Sequence, residues 1–200
     1  MSRRRFARSL GVLFAAALAV AVPAHAAADP APAGVPVDQL RADLAGSPDL
    51  VGALDRLVDA ARTPTILEPP PRNIPQPFMT PAPTVGPGCG GGFTPFAMTS
   101  GWAHPGPHAD PDIGFGEMKV FVQPTIPVQP AAADLKFVWM NMENFRAGVA
   151  TLDDQVGGVP QLSTTIAPGS GPVMAALFGS VQYVNGAFCQ VIYTMGGFFV

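Results

Sequence analysis

Nine prolines fall within residues 63–88: Pro64, Pro69, Pro70, Pro71, Pro75, Pro77, Pro81, Pro83 and Pro87. Each ring fixes φ and removes a backbone donor, so neither a regular helix nor a central strand can run through that stretch. The chain is thereby divided. The residues before the prolines must fold locally, residues 89–200 must supply the main core, and the stretch itself reads as an extended connector. Ile66, Leu67, Ile74, Phe78 and Met79 are too apolar for a solvated spacer, so a strap laid along a domain surface is expected over 63–88.

Upstream, Arg3, Arg4, Arg5 and Arg8 precede an apolar stretch from Leu10 to Val22. Small residues come next at Ala24, Ala26 and Ala28. That order of charge, short apolar run and small residues predicts a secretory leader over 1–28. The paired arginines fit twin-arginine export, and general secretion fits equally well. Loss of the leader removes four of the eleven basic residues and none of the fourteen acidic ones, leaving an acidic mature chain. Such a balance excludes an electrostatic nucleic-acid binder, which needs a basic stripe. No apolar run after the leader is long enough for a membrane-spanning helix.

Residues 29–62 read as short helices. Ser47 suits a cap, Pro48 the first helical position and Asp49 the first turn. Leu50, Leu54, Leu57, Val58 and Ala61 recur at helical spacing, with Asp38 before an earlier turn carrying Leu40 and Leu44. The same leucines serve a helix packed on its own protein or one docked on a partner, and the pattern does not separate the two.

Residues 89–200 have a different texture. After a loop-rich stretch opening at Cys89-Gly90-Gly91-Gly92, β-type runs are expected at 117–122, 135–142, 146–152, 162–166, 173–184 and 187–195. Asn185-Gly186 joins the last two and predicts a two-residue type I′ turn. Trp139, Met140, Phe137, Phe145, Phe178, Phe188 and Tyr193 read as core. The expected fold is mainly β: an antiparallel, immunoglobulin-like sandwich of about 6–7 short strands, preceded by the helices and the strap. The two cysteines, Cys89 and Cys189, are expected to form a disulfide in an oxidising compartment, pinning the strap to the sheet.

Motifs for catalysis are absent. Gly169-Ser170-Gly171 and Gly179-Ser180-Val181 lack the nucleophile-elbow frame, and no phosphate loop, dinucleotide fingerprint or zinc-finger spacing occurs. One polar cluster stands out. His104, His108, Asp110 and Asp112 bring imidazole and carboxylate, suitable metal ligands, into one short segment. Pro105, Pro107 and Pro111 make that segment an exposed polar loop by expectation, so a metal site and a plain surface loop are the competing readings.

The alanine-rich leader ending Ala26-Ala27-Ala28-Asp29-Pro30, the segment Phe137-Val138-Trp139-Met140-Asn141 with Arg146-Ala147-Gly148, Gly169-Ser170-Gly171-Pro172-Val173, and the run Phe188-Cys189-Gln190-Val191 to Gly197-Phe198-Phe199-Val200 carry a resemblance. The chain resembles small exported proteins of unknown function from mycolic-acid-containing actinobacteria. The resemblance implies an envelope or culture-medium location and a β-rich domain, and it brings no catalytic residues or cofactor. Three functions are expected: a non-enzymatic binding or structural protein of the cell envelope, whose partner is an envelope component or a protein; a carrier of an apolar envelope molecule, using the methionine- and phenylalanine-rich β-domain; or a small metal-dependent hydrolase using the His104/His108 loop.

Overall fold

The computed structural model describes residues 33–61, 74–92, 94–109 and 112–200. The expected leader, residues 62–73 of the strap region and Asp110 lie outside them. In chain order the elements are β1 (Val35–Pro36), α1 (Val37–Asp43), α2 (Pro48–Ala61), β2 (Gln76–Pro77), β3 (Ala82–Val85), β4 (Phe96–Thr99), β5 (Gly101–Pro105), β6 (His108–Ala109) and β7 (Asp112–Ile113). They continue with β8 (Met118–Val122), β9 (Pro130–Asn141), β10 (Arg146–Thr151), β11 (Gln155–Val156), β12 (Val159–Pro160), β13 (Ser163–Ile166), β14 (Pro172–Tyr183) and β15 (Phe188–Phe199).

The fold is mainly β with antiparallel pairing throughout its two main sheets. A seven-stranded sheet runs β1-β10-β9-β14-β15-β3-β4, and a four-stranded sheet runs β13-β8-β5-β2. Alternation along each strand divides the apolar residues between the faces. Met118, Val120 and Val122 of the small sheet meet Leu135, Phe137, Val173, Ala175, Leu177, Val191 and Phe198 of the large one in a shared core. The opposite face of the large sheet offers Val138, Met140, Ala147, Met174 and Ala176 to Leu40, Ala53, Leu54 and Leu57 of the helices. The leucine stripe is therefore spent on the protein's own sheet. Full burial of Leu54 and Leu57 is worth about 1.5–3 kcal/mol each.

Several expectations are corrected. The strands number more than seven, and β9, β14 and β15 are each 12 residues long. Proline blocks a long strand but not a short one. Gln76–Pro77 pairs with β5, and Ala82–Val85 lies between β15 and β4, so the described part of the strap enters both sheets. The turn of the β14–β15 hairpin is not type I′. Gly186 has φ 84°, but Asn185 is outside the left-handed region. Tyr183 N–H donates to the Ala187 carbonyl, and the Asn185 side chain accepts from Ala187 N–H, closing a three-residue loop with glycine at its αL position. Phe145 and Phe188, read as core, are exposed, whereas Phe137, Trp139 and Met140 are fully buried.

The Cys89–Cys189 disulfide is present, with both residues buried. It joins the turn after β3 to the interior of β15. No helix among the described residues is long and apolar enough to cross a membrane.

Candidate functional site

The histidine cluster is not an exposed loop. His104 lies on β5, opposite Lys119 of β8, and is only 8% exposed. The backbone turns back through Pro105-Gly106-Pro107, and β6 carries His108 against Ile113 of β7. The turn is anchored by Glu117, whose carbonyl accepts from Gly106 N–H and whose carboxylate accepts from Gly114 N–H. The two imidazoles come together at 4.5 Å between ring centroids. Nε2 of His104 is buried without a hydrogen-bond partner among the described residues. Asp112 sits on β7 opposite Ala109, and Asp110 lies outside the described residues. Among the described residues no group of three or more histidine, cysteine or acidic side chains is placed to hold a metal.

A second polar cluster, which no sequence motif announces, occupies the outer face of the small sheet. Lys119 and Ser163 both donate to one carboxylate oxygen of Asp154, at 3.0 and 2.7 Å. Phe121 stacks on Trp102 beside it. The polar groups here answer one another, which leaves the cleft balanced in charge.

The helix side of the large sheet is different. The helices cover the β1-β10-β9-β14 half and stop at β14 and β15. Cross-strand partners share a face, so Gln190, Val85 and Phe96 form one row, and Pro83 and Met98 form the next, in line with Ile192. Among the described residues no helix lies over these rows. Val85, Phe96, Met98, Phe188 and Ile192 are each 37–52% exposed. Scattered apolar side chains need no explanation, but five on one face of three adjacent strands form a patch, and patches of that kind mark binding surfaces.

Where the covered half meets the bare half, a groove of about 310 Å³ opens between α2 and β15. A β-bulge makes it. Leu177 pairs with Thr194, and Gly179 pairs with Val191, so Phe178 faces both Ile192 and Tyr193. The extra residue changes the alternation of β15 and puts Ile192 and Tyr193 together on the helix side, where both line the groove with Pro48 and Gly52. The Arg56 guanidinium stands 4.9 Å above the Tyr193 ring. The Tyr193 hydroxyl is buried with no hydrogen-bond partner among the described residues. Burial raises the pKa of that phenol above its ordinary value, and the charge of Arg56 partly offsets the rise. The group is therefore a neutral donor at physiological pH.

No family model, curated protein or solved structure matches this chain. The geometry alone therefore carries the functional reading. Sequence reasoning assigned Tyr193 and Phe188 to the core and passed over Arg56. The available signal was the unbroken β-type run 187–195 without strict alternation, which is how a bulge reads in sequence.

Proposed function

We propose that this is a non-enzymatic, exported binding protein of the cell envelope that holds an apolar molecule. The observation that carries the reading is the half-covered sheet: α1 and α2 bury one half of the helix-side face, while Val85, Phe96, Met98, Phe188 and Ile192 leave the other half bare and apolar. A surface with so many water-exposed apolar side chains favours an occupant on hydrophobic grounds. A buried disulfide supports an oxidising compartment. The basic leader and the resemblance to exported actinobacterial proteins support export and an envelope location. The two stacked antiparallel sheets support a β-sandwich, while a strand order with β14 at the centre of the large sheet lends nothing to an immunoglobulin-like subtype.

The test is recovery of the protein from the envelope or medium of an actinobacterial host, with mass spectrometry of its solvent extract. A bound apolar molecule is expected, lost from an Ile192→Glu, Phe96→Glu variant that still folds. Protein recovered without any apolar molecule, and unable to take up a soluble apolar dye, would defeat the reading. The metal-hydrolase alternative rests on the His104–His108 pair and is met by metal analysis of the same sample.

A further inference from the structure

We propose that Arg56 and Tyr193 form a head-group site for a single-chain amphiphile bearing a carboxylate, with its acyl chain laid across Ile192 and onto β3 and β4. The inference rests on the apolar-ligand reading and adds the chemical class of the ligand.

Three observations converge on the groove. Tyr193 presents a buried hydroxyl without a partner among the described residues. An unmatched buried donor is costly, and an acceptor brought by a ligand removes the cost. Arg56 places a permanent positive charge over the ring that carries that hydroxyl, 4.9 Å from its centroid, and among the described residues no carboxylate lies within ion-pair distance of it. A guanidinium fork next to a phenol donor matches the two oxygens of a carboxylate. Pro48, Gly52, Phe178 and Ile192 give the groove apolar wall, and Gln190 lines its edge. Asp49, on the first turn of α2, lines the same groove and disfavours a second negative charge on the ligand.

The exit from the groove fixes the direction of the chain. Gln190 and Ile192 line it, and they begin the two cross-strand rows that end in Phe96 and Met98. Past Gln190, an acyl chain leaving the head-group site toward β4 meets Ile192, Pro83, Val85, Phe96 and Met98. In the other direction the groove continues past Asp134, Lys136 and Ser180. There Lys136 is already paired with Asp134 at 2.7 Å, and the lining is polar. One end of the groove is built for charge and the other for hydrocarbon.

The test uses two probes of equal length, palmitate and hexadecanol, titrated into delipidated, disulfide-intact protein by calorimetry. Palmitate is expected to bind at one per chain. Arg56→Met and Tyr193→Phe should each weaken palmitate about tenfold while leaving hexadecanol unchanged. Met98→Glu, on the chain path, should weaken both probes. Circular dichroism checks that each variant is folded. Equal binding of palmitate and hexadecanol, indifferent to Arg56→Met, overturns the head-group site and leaves the apolar reading standing. Failure of both probes overturns the two together. Partition of the protein onto vesicles without one-to-one palmitate binding overturns the proposal in favour of a membrane surface. A dimer by sedimentation that palmitate does not dissociate overturns it in favour of a second copy of the chain.

Discussion

Trp139 lies across two glycines, and the close fit can be tested. The indole is 1% exposed on β9, with Gly148 of β10 directly across the ladder and Gly34, beside β1, next along the same row at the far rim of the ring. A methyl group added at Gly148 would stand 2.7 Å from Cζ2, 2.8 Å from Cε2 and 3.0 Å from Nε1 of the ring. Real carbon contacts do not close to that distance, so the ring must shift. It gains no room by sliding along the row, where its far rim already leaves no space for a side chain at Gly34. Gly148→Ala is therefore an overpacking substitution, expected to cost about 1–3 kcal/mol despite its favourable effect on backbone entropy. Urea denaturation monitored by tryptophan fluorescence measures it. Trp139→Phe supplies the control: in that smaller-ring background the alanine should cost at least ~1 kcal/mol less, a coupling that a double-mutant cycle isolates. An unchanged midpoint for Gly148→Ala, or a cost identical in the two backgrounds, would refute the close fit.

Replacing both cysteines with alanine opens a bridge that spans 100 residues, and the loss should be about 4–5 kcal/mol by denaturant titration. Gly186→Val should lower the stability by about 1 kcal/mol or more, read by thermal melting, because φ at that position is 84°. Tyr193 has its pKa raised by burial in the folded chain. The unfolded chain ionises this phenol first, so its contribution is complete below the unfolded value and is lost as pH rises above ~10; stability of the wild type should fall relative to Tyr193→Phe over that range. Changing His104 and His108 together to alanine is expected to cost about 1–3 kcal/mol, because His104 is buried. It should release no stoichiometric metal from the purified protein, which elemental analysis checks.

How far the sequence could be read depended on where the causes are local. The start of α2 at Pro48, the leucine stripe and the strands around 118–122, 146–151 and 163–166 come from capping, spacing and alternation, all short-range signals. The disulfide came from cysteine count and the leader. The first residues of β9 did not show, because Ala131, Ala132 and Ala133 have no strand preference and are held by pairing with β14. β2 and β3 were hidden by their prolines; they are strands because β5 and β15 lie beside them, a long-range cause. The groove is the least legible feature. It needs a bulge opposite Phe178, the side-by-side order of β15, β3 and β4, and a helix that stops short, none of which has a local signature.

The position of β15 sets an order of assembly. It lies between β14 and the β3–β4 pair, so β3, made early in the chain, joins the large sheet only through β15. Both rows of the bare face and the Tyr193 side of the groove depend on that one insertion. Pairing across so much intervening sequence is slow to form, and a chain without it would lack the bare apolar face altogether. Occupancy of the proposed site would thus report completed folding, and a chain stalled before the last hairpin closes would stay empty even with α2 and Arg56 already in place.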